Sequence, residues 1–338
     1  MDRTPTPFIG APSAEPVAPP QVLTMPTLVR GRPATIECLE IEGRTLAVER
    51  GLVTTLRLED EWFDDVEDPA RLVHALAHAP VKADLFTFWQ RLPHTEPRHA
   101  YPMETECLAA LPVTSYEHWW RQRIKSRVRS QIRKARSEGV EVREVPYDDD
   151  FVRGMTQIFN ESPVRQNRPF WHYGKDFDTV KQQFSRYLYR ERMIGAYYQG
   201  QMIGFMMLCD AGAFALTGQV LSSLAHRDKS TNFLLVDKAV ELCEAHGFGH
   251  LVYFHWTDDS LSEFKRRCGF EKTEVPRYHV PLNAQGRLAL RLGIHKGWKA
   301  ALPPGLKESL KRLRGAWYAR RWPEAGRSAA VDAAHPGG

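Results

Sequence analysis

The chain has 338 residues, of which 43% are hydrophobic, 26% charged and 11% aromatic. That composition excludes a fibrous or wholly disordered chain and supplies enough apolar material for one large or two ordinary domains. The formal net charge of +5 permits anionic partners such as CoA, phosphosugars or tRNA and demands none of them.

Five cysteines, Cys38, Cys107, Cys209, Cys243 and Cys268, are odd in number and show no CxxC spacing. They read as reduced thiols of a cytoplasmic protein rather than a disulfide framework. No apolar run approaches the length of a membrane span, and the first residues lack the basic-then-apolar pattern of a secretory signal.

Residues 1–30 carry seven prolines and little apolar periodicity, so they are expected to form a disordered leader. Strands are expected near Ala34–Ile41, Thr45–Val48 and Leu52–Leu58. A helix follows over Pro69–Ala77, where Leu72, Val73 and Leu76 share a face. Further strands are expected at Asp84–Gln90 and Glu104–Leu111. His74 and His78 stand four apart on the helix, but no Cys or carboxylate partner is evident, so no metal is expected there.

From Tyr116 to Ser137, the residues Trp120, Ile124, Val128, Ile132 and Ala135 recur at helical spacing. Between Arg121 and Arg136 lie six arginines, two lysines and no acid. Such a stripe suits phosphate, and equally a solvated helix face. Gly139 marks its end, and Val140–Val145 alternates as a strand.

A helix over Asp149–Asn160 comes next, followed by a polar-aromatic loop with Arg165, Arg168, Trp171, His172, Tyr173 and Lys175. A helix over Phe177–Tyr189 is expected, then strands Met193–Tyr198 and Gln201–Cys209 joined by a tight turn at Gln199-Gly200. A strand over Ala213–Leu224 leads to the polar patch from His226 to Asn232. Helix Thr231–His246 closes at Gly247, and strand His250–His255 follows. Ser260 and Glu263 form the S-x-x-E pattern of a helix start. Gly269 stops that helix, and a strand leaves through Arg277–Pro281. Leu306, Leu310, Leu313 and Trp317 suggest one more amphipathic helix, with a basic outer face.

The order of elements from Met193 to Pro281 resembles the core of the GNAT superfamily. Phe264-Lys265-Arg266-Arg267-Cys268-Gly269-Phe270 is similar to the FK-x-x-x-G segment of its Fem-type branch. Ser130-Gln131-Ile132-Arg133-Lys134-Ala135 with Gly139-Val140 is similar to the basic segment joining the two units of Fem-like proteins. The resemblance covers residues 110–285, and residues 31–110 only by architecture.

It implies an α/β (α+β) fold of tandem GNAT-like units, mixed central sheets flanked by helices, with a degenerate N-terminal unit. The expected layout is a leader over 1–30, the degenerate unit over 31–115 and a basic connector over 116–145. The catalytic domain then spans 146–285, a basic helical extension 286–322 and a disordered tail 323–338.

The function implied is transfer of an acyl group from acyl-CoA, acetyl-CoA in the first instance, to a small-molecule, peptide or sugar amine by direct attack, with no metal. A backbone N–H near Ser222–Leu224 would polarise the donor carbonyl. The donor phosphates would rest on Arg227, Lys229, Ser230, Thr231 and Asn232, since the first N–H groups of a helix lack internal partners. The usual acetyl-CoA loop, Q/R-x-x-G-x-G/A, is not kept: Arg227–Asn232 has no glycine.

Lys265 takes the family's oxyanion-stabilising role, with His255 or Asp258 handling the amine proton. Arg165, Arg168, Trp171, His172 and Tyr173 would line the acceptor site. Two other readings stand beside this one: an aminoacyl-tRNA-dependent transferase, favoured by the FK-x-x-x-G segment, the basic helix and the glycine-free loop, and a GNAT-fold binding module without catalysis.

Overall fold

In the computed structural model, residues 19–29, 32–165, 168–257 and 260–296 are described. In chain order the elements begin with β1 (Gln21–Val29), β2 (Arg32–Ile41), β3 (Arg44–Glu49), β4 (Thr55–Leu58), α1 (Pro69–Leu76), β5 (Leu85–Trp89) and β6 (Met103–Pro112). Next come α2 (Tyr116–His118), which runs into a π-turn over Trp119–Arg123, then α3 (Ser126–Ser137), β7 (Glu141–Val145) and α4 (Asp149–Phe159). The two-residue strands β8 (Val164–Arg165) and β9 (Arg168–Pro169) precede α5 (Phe177–Gln183), β10 (Glu191–Tyr198), β11 (Gln201–Asp210) and β12 (Ala215–Ser222). The rest is α6 (Thr231–His246), β13 (His250–His255), α7 (Ser260–Arg267), β14 (Glu271–Pro281) and α8 (Ala284–Arg291).

Local chemistry accounts for the element ends. Asp68 caps α1 by accepting from the Arg71 N–H, with Pro69 at the first helical position. Asp148 caps α4 through the Phe151 N–H at 2.9 Å. Gly247 ends α6 with φ +73°, a left-handed turn that glycine adopts without a Cβ penalty.

Twelve strands form one mixed sheet in the order β1-β2-β3-β4-β5-β14-β6-β13-β12-β11-β10-β7. Strand β14, the last among the described residues, lies between β5 and β6 and pairs antiparallel with both. Strand β6, from the first third of the chain, thus sits between β14 and β13. The two halves of the sheet interleave through these strands, a long-range pairing that no local signal encodes. Helix α6 packs on β10, β11 and β12 with Phe233, Leu234, Leu235, Val236, Ala239 and Val240 buried. On another part of the sheet, α4 buries Phe151, Val152, Met155, Ile158 and Phe159 with Met193, Phe205 and Met207.

Three expectations change. Residues from Gln21, assigned by sequence to the leader, form the sheet-edge strand β1, which pairs with β2 and places Pro26 opposite Thr35. An edge strand tolerates a residue without an N–H. The helix expected over Tyr116–Ser137 breaks at Ile124 and Lys125, whose ψ values are 143° and 157°. Trp119 and Ile124 are both buried, yet five residues set them about 140° apart on one α-helix; the break turns both inward. Arg129 donates to the carbonyls of Trp120 and Ile124 at that break. The helix expected over Phe177–Tyr189 ends at Gln183, because Arg186 and Tyr187 reach across to Glu59 and Asp60. The helix expected around Leu306–Trp317 lies outside the described residues, as do residues 1–18 and the tail.

Candidate active site

The site begins where β12 and β13 part. Their parallel pairing comprises only Ala215↔Leu251 and Leu216↔Val252; beyond it, β12 continues to Ser222 and β13 to His255. On β12 the register against β11 runs from Met207↔Gln219 to Leu208↔Thr217, so Gly218 is an extra residue, a β-bulge. A Cβ at Gly218 would stand 2.7 Å from Cys209 Sγ, so the bulge is tight. On β13 the register against β6 shifts between Val252 and His255, and Phe254 has φ +48°. A left-handed non-glycine residue costs about 1–3 kcal/mol unless its surroundings hold it.

A cavity of about 370 Å³ opens at this parting and is lined by Leu216, Gly218, Gln219 and Phe254 from the two strands. Its far wall comes from the N-terminal half of the sheet, through Glu59, Asp60, Glu61 and Trp62. Trp62 meets the Phe254 and His255 rings edge-on, each at 5.4 Å.

Lys265 holds the β13 bulge. It is 2% exposed, and its ammonium donates to the carbonyls of Tyr253 and His255, each at 2.8 Å. These residues flank the left-handed Phe254. The sequence places Lys265 at a donor oxyanion; in the structure its ammonium is engaged with the backbone that carries His255.

The His255 side chain is half exposed, and its Nδ1 lies 3.0 Å from Glu106 Oε1. Glu106 also accepts from Arg277 Nε at 2.6 Å, and Arg277 Nη1 reaches Glu61 at 3.0 Å. Burial alone would raise the Glu106 carboxyl, but hydrogen bonds from His255 and Arg277 outweigh it and hold the group at about 2. A carboxylate on Nδ1 fixes the imidazole tautomer and leaves Nε2 as the acceptor. Asp258 lies outside the described residues.

Inside the cavity, Glu191 Oε1 accepts from Cys209 Sγ at 3.2 Å, while Oε2 is buried without a partner. Burial raises this carboxyl from 4.5 to about 7, against a smaller opposing effect of the Cys209 bond.

At the end of β12, Ser230 caps α6 in the left-handed region (φ +53°) with no side-chain cap bond to the helix. Thr231 and Asn232 carry buried side-chain oxygens without partners, Oγ1 and Oδ1. Gly204 makes room here, since a Cβ on it would stand 2.6 Å from Thr231 Cγ2 and 3.2 Å from the Leu221 carbonyl. Lys229 pairs with Glu138 and Asp228, both at 3.1 Å, and lies over the Tyr198 ring. The Leu224 N–H, expected to meet a donor carbonyl, donates to Glu161 Oε2 at 2.6 Å. Glu161 also accepts from Ser223 Oγ and from Arg165 Nη2. Phe233 of α6 meets Phe264 of α7 at 5.2 Å, so the Arg227–Asn232 loop and the Lys265 helix are neighbours.

The expected acceptor residues divide. Arg165 is turned inward, donating to the carbonyls of Ser222 and Ile158. His172 is 1% exposed and stacks on Phe159 at 4.5 Å. Its ring nitrogens meet the Lys175 ammonium at 3.2 Å and the Gln219 amide at 3.0 Å, and burial pushes its pKa down to about 3. It therefore supports Gln219 in the cavity wall as a neutral ring. Trp171 and Tyr173 are exposed. Arg168 is described only as backbone in β9.

Most bases of the Arg121–Arg136 segment have protein partners. Arg121 pairs with Glu117, Arg123 with Glu271, Lys134 with Glu138 and Arg136 with the buried Asp237, while Arg133 lies over Trp120. Sequence reasoning missed Glu106, Glu161, Glu191, Trp62 and Arg277. Each is a single residue with no spacing pattern, and only the Glu106 carboxylate, set in an apolar strand, offered a faint signal.

The parted parallel strands, the bulge on β12 and a helix N-terminus at its end define a GNAT-like fold of the Fem type. No family model matches the sequence, and no curated protein does. Among solved structures, FemX aligns with a TM-score of 0.53 at 11% identity, over 80% of this chain and 90% of its own. The C-terminal domain of a protein assigned as a lysylphosphatidylglycerol synthetase from Agrobacterium fabrum aligns with a TM-score of 0.51 at 14% identity, over 76% of this chain and 87% of its own. A conserved protein of unknown function from Bacteroides thetaiotaomicron aligns with a TM-score of 0.50 at 8% identity, over 73% of this chain and 86% of its own. At these identities the likeness speaks to fold. Among the described residues, no helix is long and apolar enough to cross a membrane.

Proposed function

We propose that the protein is an N-acyltransferase in which an amine bound in the cavity attacks the activated carbonyl of a phosphate-bearing donor. The observation that carries this is the parting of β12 and β13, with the cavity lined from both strands, the His255–Glu106 pair at the end of β13 and the α6 N-terminus beyond β12.

In this proposal the amine nitrogen forms the new N–C bond. His255 Nε2 takes the amine proton, and the bond from carbon to the donor's leaving atom breaks, that atom keeping the electron pair. Lys265 acts as a positioning residue, fixing the backbone of His255. Glu191, whose Oε2 is buried in the cavity without a partner, would accept from the amine. Close placement of the two reactants supplies much of the rate.

The proposed donor is acyl-CoA. The uncapped start of α6, with the left-handed Ser230, suits a phosphate, and the N–H groups of Thr231 and Asn232 with Arg227 would hold it. A second reading takes aminoacyl-tRNA as donor. The glycine-free Arg227–Asn232 loop favours it.

Thermal-shift measurements with acetyl-CoA and with charged tRNA distinguish the two: stabilisation by acetyl-CoA supports the first reading, and by charged tRNA the second. Stabilisation by neither contradicts both and favours a binding module on this fold.

A further inference from the structure

Two residues along β6 and β14 from the Glu106–Arg277 pair, three ligand-type side chains converge. Glu104 begins β6, His279 is near the end of β14, and His295 stands in a single 3₁₀ turn (Ile294–Lys296) after α8. One ligand atom from each lies within 4.8 Å of the other two. The His279 and His295 rings are 4.9 Å apart. The His295 side chain is only 9% exposed, and its Nε2 meets Glu104 Oε1 at 2.8 Å.

His279 Nε2 and His295 Nδ1 are both buried without a hydrogen-bond partner. Buried polar atoms are normally satisfied, and a pair left open side by side calls for an explanation. From these positions we infer a divalent transition-metal site, of the zinc class, built from His279, His295 and Glu104.

The donor set fits. Two imidazoles and a carboxylate suit Zn²⁺ at about 2.0–2.2 Å per bond, with a fourth position for water. Tetrahedral bonds of that length set ligand atoms about 3.3 Å apart, so the three groups need close by no more than about 1.5 Å. Side-chain rotation supplies that. Glu104 either binds the metal directly or holds the His295 ring through Nε2, as carboxylates beside metal-bound histidines commonly do.

Lys296 is the competing cation. Its ammonium reaches the same Glu104 oxygen at 2.8 Å, and its half-exposed side chain is able to swing into solvent. The metal would clip the segment after α8 onto the β6–β14 ladder, where the two halves of the sheet interleave. Its ligands are distinct from His255 and Glu191, and Glu104 pairs in register with Arg277 of the cleft.

The test uses the full chain, free of affinity-tag histidines and stripped with chelator, titrated with Zn²⁺ by calorimetry and with Co²⁺ by visible absorption. One equivalent of Zn²⁺ is expected, and for Co²⁺ visible d–d bands of the strength that tetrahedral rather than octahedral coordination gives. His279→Ala and His295→Ala should each weaken binding at least tenfold, and Lys296→Ala should leave it equal or tighter. Circular dichroism checks that each variant folds, and Glu104→Gln provides a milder variant should either histidine change prevent folding. No binding by the wild-type chain overturns the inference. So does an intense thiolate-to-cobalt band, which assigns the metal to cysteine, or binding unchanged in the folded variants.

Discussion

The ammonium of Lys265 lies 2.8 Å from the carbonyl oxygen of His255. With its second bond, to Tyr253, it spans the left-handed Phe254 and holds the bulge next to His255, whose ring meets Trp62 of the cavity wall. Lys265→Met leaves two carbonyls without this donor, so stability should fall by about 2–4 kcal/mol. The melting temperature and turnover should fall together. A variant with unchanged melting temperature and lost turnover would instead return Lys265 to direct contact with the donor.

His255 is half exposed, so His255→Ala should cost little stability. As the proton acceptor it should lower turnover by about 10²–10⁴-fold. Glu106→Gln keeps the shape of the pair and removes the carboxylate that orients Nδ1, so turnover should fall less than in His255→Ala. Equal losses in both variants would mean that Glu106 itself touches the reacting atoms.

The Glu191 carboxyl is raised from 4.5 to about 7 by burial. The folded state therefore binds this proton more tightly than the unfolded state does. Stability from this group is fully present below pH 4.5 and is lost as pH rises through 7, by up to about 3 kcal/mol. Glu191→Gln should accordingly raise the melting temperature relative to wild type at pH 8 more than at pH 5. A pH-independent difference would show the carboxyl to be ionised throughout.

Glu161 holds the Leu224 N–H and the Ser223 hydroxyl. If those donors serve an anionic substrate, Glu161→Gln should tighten acetyl-CoA binding, measured by calorimetry. Weaker binding would assign Glu161 to holding the loop. Gly204→Ala should act oppositely, because its Cβ meets Thr231 at the start of α6. Overpacking of this kind costs about 1–3 kcal/mol, and donor affinity should fall with it.

Legibility in the sequence followed the range of the interaction. Thr231–His246, Gly247, the Gln199-Gly200 turn and His250–His255 were readable because periodicity and left-handed residues act within a few positions. The insertion of β14 between β5 and β6 was not, since it depends on partners more than 160 residues apart in the chain. Tyr187 likewise leaves its helical pattern for Asp60, and β1 forms despite Pro26 because β2 is beside it. At the site, His255 and Lys265 stood out through the family resemblance. The burial of Lys265 and the partners Glu106, Glu161 and Glu191 emerge only when distant segments meet.

The most direct test is transfer of a labelled acyl group from acetyl-CoA, or of a labelled amino acid from charged tRNA, to a panel of primary amines, comparing wild type with His255→Ala. The cleft chemistry proposed here predicts an amide product from one of the two donors with wild type and a loss of at least about a hundredfold in the variant. Equal product with both proteins, or none from either donor with folded wild type, would contradict it.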